Sequence, residues 1–194
     1  MRLGIFGGTF DPVHLGHLIV AETARAQARL ERVLFVLSHR PPHKNAVELA
    51  PVLHRLDMLN LALAGHPNFF VSTIELQREG VSYTVDTLRR LQSLPEYRAA
   101  ELHLIIGSDS LAAFEQWREP EAIMQLARLL VYPRLETSAP AAYAEFQKNS
   151  HLLEAPIVEI SSTEIRRRLQ QSESIRYLVP DAVLRYIEAN RLYC

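Results

Sequence analysis

Cysteine is almost missing from this sequence of 194 residues: Cys194 is the only one. A single thiol excludes a disulfide framework and a cysteine-built metal centre. Its rarity fits a reducing compartment, so a cytoplasmic location is expected. Long apolar runs are missing too; none approaches the roughly 20 residues that cross a bilayer, and no membrane partner is expected. Arg2 is followed by only four residues before the Gly7-Gly8 pair, too little for a signal peptide, so none is expected. Charge of either sign is not in excess. Lys and Arg number 21 against 22 Asp and Glu, a net charge of −1 that argues against general nucleic-acid binding. Any positive potential that meets an anion must therefore be local. Internal repeats, low-complexity stretches and linkers are also lacking, so one domain spanning 1–194 is expected. A chain of this size buries about 70% of its unfolded surface and needs no staple.

What the chain does have is Gly7-Gly8-Thr9-Phe10-Asp11-Pro12-Val13-His14-Leu15-Gly16-His17. A short apolar run, Leu3 to Phe6, precedes it and reads as a buried strand. Leu18 to Leu30 follows, rich in Ala and without Gly or Pro, and reads as a helix. The stretch is thus a strand-to-helix turn suited to an anionic ligand. Gly7 and Gly8 allow a sharp turn and a close approach of backbone to phosphate. The open N–H groups of the next helix point at the same place. His14 and His17, three apart, share one face of a first helical turn and can reach one ligand together. Pro12 is expected in that first turn, where its missing N–H is harmless. The ending Gly-Lys-Ser/Thr of a Walker loop is not here, nor is the Gly-x-Gly-x-x-Gly spacing of dinucleotide oxidoreductases.

Strand and helix patterns alternate after that. Val33–Leu37 reads as a strand leading into Ser38-His39-Arg40-Pro41-Pro42-His43-Lys44, a basic loop that its prolines keep from being helical. An amphipathic helix is expected over 52–64, with apolar residues at 52, 53, 56, 59 and 63, stopped by Gly65. Phe69–Ile74 reads as a strand, and a helix over 85–93 has Thr84 as its expected N-cap. Leu102–Ile106 reads as a strand ending at Gly107-Ser108-Asp109, followed by a helical turn (110–114) and the single tryptophan, Trp117. A helix over 122–126 and a strand over 129–132 come next. Residues 137–156 are the least defined, with a possible helix over 141–148. Ile157–Ile160 reads as a last strand, and Ser161 with Glu164 has the spacing of a capping box. Pro180 opens a final helix that buries Val183, Leu184 and Ile187. The class is α/β, a Rossmann-like doubly wound parallel sheet with helices on both faces. Its functional turns should gather along the C-terminal edge.

The glycine turn resembles the Gly-Gly-Thr-Phe-Asp-Pro-x-His-x-Gly-His motif of the nucleotidyltransferase superfamily. Ile160-Ser-Ser-Thr-Glu-Ile-Arg166 resembles its Ile-Ser-x-Thr-x-x-Arg motif. Pro41-Pro-His-Lys44, Ser82-Tyr-Thr84, Ile106-Gly-Ser-Asp109 and Trp117 resemble segments of its bacterial nicotinate-nucleotide adenylyltransferase branch. Two departures stand out: Tyr132-Pro133-Arg134-Leu135 replaces an Arg-Pro-Gly, and Arg191-Leu192-Tyr193 replaces a Gly-Leu-Tyr. The resemblance implies transfer of the adenylyl group of ATP to nicotinate mononucleotide, giving nicotinate adenine dinucleotide and pyrophosphate, in NAD biosynthesis. It implies His14, His17 and Arg166 as the catalytic set. ATP would be held by Gly7, Gly8, Thr9, Phe10, His14, His17, Gly107, Asp109, Ser161, Ser162, Thr163 and Arg166. The acceptor nucleotide would be held by Thr9, His43, Lys44, Tyr83, Thr84 and Trp117. Mg2+ is expected with ATP, with no protein-built metal site, because that ion keeps its waters and needs few protein ligands. Rivals are another acceptor of the same superfamily, such as nicotinamide mononucleotide or pantetheine phosphate, a cytidylyl transfer, and a non-catalytic nucleotide sensor. A sensor would be expected to lack one of His14, His17 or Arg166.

Overall fold

The computed structural model describes residues 1–39, 49–78, 80–134 and 149–194. Its strands are β1 (Arg2–Gly8), β2 (Arg32–Leu37), β3 (Phe69–Ser72), β4 (Glu101–Gly107), β5 (Ala127–Tyr132) and β6 (Ser150–Leu152). They form one sheet in the order β3-β2-β1-β4-β5-β6, and every pairing is parallel. Strand order runs outward in both directions from the centre. A crevice therefore opens between the C-terminal ends of β1 and β4, the place where a doubly wound sheet receives ligands.

Alternation along β2 shows how the two faces are filled. Val33, Phe35 and Leu37 enter one core, while Leu34 and Val36 enter the other. With both faces covered, such strands carry continuous apolar runs. The helices are α1 (Leu15–Gln27), α2 (Val52–Leu63), α3 (Thr84–Ser93), α4 (Ser108–Ala112), α5 (Pro120–Leu126), α6 (Ser162–Gln170) and α7 (Asp181–Asn190). Ala21, Met58, Ile165 and Val183 bring α1, α2, α6 and α7 to the first core. Leu88, Leu111 and Ile123 bring α3, α4 and α5 to the second. Each fully buried aliphatic chain contributes about 1.5–3 kcal/mol, so the strand-end turns rest on a packed base. The doubly wound α/β class expected from the sequence is the one observed.

Several local expectations are corrected. Helix α1 starts at Leu15, with His14 as its N-cap, so Pro12 lies ahead of the helix and not in its first turn. Thr84 is the first residue of α3; Tyr83 is the N-cap and makes no side-chain cap bond. Helix α2 buries Arg55, Met58, Leu59 and Leu63, and Leu53 is exposed instead. The buried face rotates that way because the Arg55 guanidinium finds three carbonyl acceptors beneath the helix. Ile157–Ile160 is not a strand. The sheet's sixth place is taken by Ser150–Leu152, and Leu153 N–H already donates to Val131 O at 2.8 Å. Residues 157–160 therefore run past the end of β5. The capping box is half-formed: Ser161 Oγ accepts from Glu164 N–H at 3.1 Å, but the Glu164 carboxylate turns to Arg167 and Arg168. The possible helix over 141–148 lies outside the described residues.

Candidate active site

The turn after β1 is built differently from a simple glycine bend. Gly7 and Gly8 are the last residues of the strand, and the sharp turn falls on Phe10, whose φ is +46°. Gly8 is small for another reason: a Cβ there would meet the Phe10 ring at 3.0–3.3 Å, so its absence lets that buried ring fold back beneath the strand. His14 then caps α1 through its ring. His17 N–H donates to His14 Nδ1 at 3.4 Å, and His14 N–H donates to His17 Nδ1 at 3.2 Å. The two rings stack with centroids 3.6 Å apart. Because each Nδ1 accepts a backbone proton, the network assigns the ring proton of both histidines to Nε2. Burial, helped by the positive charge of Arg134, lowers His14 to about 3. Its ring is therefore a neutral N–H donor at physiological pH, not a cation.

Beneath this turn lies Asp11, fully buried. Its Oδ1 accepts from Tyr193 Oη at 2.6 Å and from Ala50 N–H at 3.3 Å. Its Oδ2 makes no hydrogen bond among the described residues, yet sits 3.7 Å from Arg166 Nη1. That same Nη1 donates to the Asp11 carbonyl at 2.7 Å, while Nη2 lies 3.4 Å from Thr163 Oγ1. Arg55 completes the underside by donating to the carbonyls of Thr9, Ser38 and Ala50. Ser162 Oγ donates to Pro12 O at 2.9 Å, which fastens the start of α6 to the turn after β1. Two helix N-termini, those of α1 and α6, are thereby held side by side. At α1 the Leu15 and His17 N–H groups are spent on Leu178 O and His14 Nδ1, so that end offers an anion its dipole and the two imidazole donors. At α6, among the described residues, only the Glu164 N–H is spent, on Ser161 Oγ.

A cleft of about 570 Å³ opens above these turns. Its lining falls into two groups: Gly7, Gly8, Thr9, Phe10, His14, His17, Ser161, Ser162 and Thr163 from the turns that lead into α1 and α6, and Ser82, Tyr83, Thr84, Trp117 and Arg118 from the start of α3 and the segment after α4. Trp117 is half-buried against Phe114, with ring centroids 5.3 Å apart. Asp109 and Arg134 also line it, with Arg134 Nε 3.8 Å from Asp109 Oδ1 and Arg134 Nη2 donating to Tyr132 Oη at 2.8 Å. Glu75 reaches the same cleft from below; its Oε1 accepts from Thr87 Oγ1 at 2.8 Å, and burial pushes its carboxyl up. A second cavity of about 490 Å³ lies at the opposite edge of the sheet, lined by Arg2, Glu101, His103 and Arg128. None of the strand-end turns reaches it, so the site is placed at the C-terminal edge.

The structure thus brings together Gly7, Gly8, Thr9, Phe10, His14, His17, Asp109, Ser161, Ser162, Thr163, Tyr83, Thr84 and Trp117. Gly107 and Arg166 do not line the cleft. Gly107 ends β4, where a Cβ would collide with the Asp109 carboxylate. Arg166 is turned toward Asp11. His43 and Lys44 lie outside the described residues. Sequence reasoning missed Arg55, Glu75, Arg118 and Tyr193 and assigned Asp11 only to the helix entry. Arg55 carried a weak signal as a cation next to the apolar positions of α2; the others carried none, since their roles depend on contacts far apart in sequence.

A parallel sheet whose anion-binding turns meet across the β1/β4 crevice defines a doubly wound nucleotide-binding protein of the nucleotidyltransferase kind. The chain belongs to the cytidylyltransferase-like family, whose model matches residues 5–168, and within it to the nicotinate-nucleotide adenylyltransferases. It is 46% identical over 198 residues to a probable nicotinate-nucleotide adenylyltransferase of Thermus thermophilus, covering 100% of both chains. It is 44% identical over 193 residues to a protein of the same name from Salinibacter ruber, covering 100% of this chain and 98% of that one. In fold it resembles the Plasmodium falciparum nicotinic acid mononucleotide adenylyltransferase complexed with NaAD, with a TM-score of 0.84, 20% identity, and 99% and 97% of the two chains covered.

Proposed function

We propose that this chain joins nicotinate mononucleotide to the AMP part of ATP, giving nicotinate adenine dinucleotide and pyrophosphate. The observation that supports this most is the meeting of two anion sites, at the starts of α1 and α6, across one cleft from Trp117 and Tyr83. An oxygen of the acceptor's phosphate attacks the α-phosphorus of ATP. One P–O bond forms there as the bond to the β-phosphate oxygen breaks, and pyrophosphate leaves. The nucleophile is already an anion, so no base or covalent intermediate is needed; alignment and charge stabilisation suffice. The Nε2–H groups of His14 and His17, with backbone N–H groups at Gly8, Thr9 and Phe10, would meet the charge that develops on the transferred phosphate. Thr163 and the start of α6 would hold the outer phosphates, while Arg166, turned to Asp11 and Thr163, would brace that turn and add positive charge behind it. Trp117 would stack on the pyridine ring, and the uncapped start of α3 at Tyr83 and Thr84 would face its carboxylate.

The expected Mg2+ fits this donor set. Asp109 lines the cleft as an exposed carboxylate, a hard oxygen donor of the kind that ion takes. Asp109 would hold the ion through its water shell, and the ion when bound would neutralise charge on the triphosphate. The rest of the reading is a single domain over 1–194 acting in the cytoplasm; among the described residues no helix is long and apolar enough to cross a membrane. The deciding assay supplies ATP with nicotinate mononucleotide, nicotinamide mononucleotide or phosphopantetheine and measures pyrophosphate release. Release with nicotinate mononucleotide above the others carries the reading, and release with phosphopantetheine alone overturns it.

A further inference from the structure

Three arginines surround two carboxylates at the Trp117 end of the cleft, and the hydrogen bonds do not divide evenly. Arg78 Nη2 donates to Asp86 Oδ2 at 3.0 Å. Arg89 grips Glu119 with two bonds, of 2.6 and 3.2 Å. Arg118 makes only longer ion pairs with these same groups, 3.5 Å to Asp86 Oδ2 and 3.8 Å to Glu119 Oε1. Its five N–H donors have no hydrogen-bond acceptor among the described residues. The guanidinium is nevertheless fixed in place, 4.8 Å over the ring of Tyr83, while its side chain is 51% exposed and lines the cleft. Stacking on an aromatic face spends none of a guanidinium's in-plane donors. Its neighbour in sequence is Trp117. Glu75, the other acidic group at this end, is buried in a way that disfavours a compensating negative charge.

From this surplus cation we infer that Arg118 reads the charge of the acceptor ring, pairing with the carboxylate of nicotinate and distinguishing it from the uncharged carboxamide. A carboxylate presents two oxygens to the planar fork, a match a carboxamide cannot make, because its NH₂ would face donors. Arg118 is thus a specificity-determining residue on the acceptor side. This rests on the Trp117–Tyr83 end being the acceptor site.

The test compares the parent with Arg118→Gln and Arg118→Lys in two measurements. Steady-state kinetics with nicotinate and nicotinamide mononucleotides should show the Gln variant losing roughly 10- to 100-fold in kcat/KM on nicotinate, mostly through KM. Its efficiency on nicotinamide and its KM for ATP should stay within about threefold, and Lys should recover part of the loss. Separately, each mononucleotide is titrated without ATP while the fluorescence of Trp117, the single tryptophan, reports binding; the Gln variant should lose affinity for nicotinate alone. Equal losses for both acceptors would mean that Arg118 only props Tyr83, and unchanged preference would mean that other groups read the carboxylate; either overturns the inference. Should the parent turn over neither acceptor, adenylyl transfer to a pyridine nucleotide falls as a reading. The titration still decides on Arg118, a selective loss supporting it and any other result overturning it.

Discussion

Tyr193 Oη donates a 2.6 Å hydrogen bond to Oδ1 of Asp11, across 182 positions of sequence. Burial and the neighbouring carboxylate hold that phenol far above its usual pKa, so it stays a donor at any working pH. Tyr193→Phe leaves Oδ1 with the Ala50 N–H alone, at 3.3 Å. Hydrogen bonds to charged groups contribute about 1.5–3 kcal/mol, and a loss of that size is expected in urea unfolding. Because Asp11 also contacts Arg166, KM for ATP should rise while KM for the acceptor holds. Parental stability in the Phe variant would show the bond to be idle.

Acid should weaken the fold through His14. Its pKa is about 3 in the folded protein against 6.5 for an unperturbed histidine, so between those values the unfolded chain binds the extra proton. The stability is fully present above pH 6.5 and is lost progressively as pH falls toward 3. At 1.36 kcal/mol per unit, the full effect is on the order of 5 kcal/mol. His103, lowered mainly by burial, adds a slope of the same sign. His14→Asn keeps a good N-cap but cannot titrate; its unfolding free energy should therefore fall less steeply than the parent's between pH 7 and 5. Parallel profiles would rule out His14 as the source.

His17→Ala removes a donor from the place where charge develops during transfer. By comparison with oxyanion-hole donors, turnover should drop roughly 10²–10³-fold, with acceptor binding nearly unchanged. The same change also opens the reciprocal cap with His14, so the variant's melting temperature is measured alongside. Turnover within threefold of the parent would move the phosphate site elsewhere.

Glu75 has the opposite pH sign to His14. Burial raises its carboxyl, so its contribution is present at low pH and is lost as pH climbs through the folded value. Glu75→Gln retains an oxygen for Thr87 and never ionises. Relative to the parent, this variant should gain stability as pH goes from 5 to 8, as read by chemical denaturation at each pH. A constant difference across that range would show that the carboxyl does not titrate there.

The sheet and its helices were legible because their information is local. Continuous apolar runs at Leu3–Phe6, Val33–Leu37 and Leu102–Ile106 report strands covered on both faces, and the glycine turn and Ser161 announce the anion sites. Asp11 shows the limit. Its partners, Tyr193, Arg166 and the Ala50 N–H, come from three distant parts of the chain, and no spacing along the sequence encodes that convergence. Phe10 shows another: the glycines' conformational freedom places the sharp turn at Gly7-Gly8, but the positive φ falls two residues further on, at Phe10, whose ring is buried. Arg118 was invisible because what matters is the uneven sharing of two carboxylates among three arginines.

The distance in sequence between Asp11 and Tyr193 also has a meaning in time. A ribosome adding roughly 5–20 residues per second takes about 10–40 s to cover that interval. During that period the first-made turn has its glycines and histidines but not the hydroxyl that anchors its buried carboxylate, nor, for most of it, the arginine of α6. Nucleotide binding at full affinity thus waits until Tyr193 has been made and has closed onto Asp11.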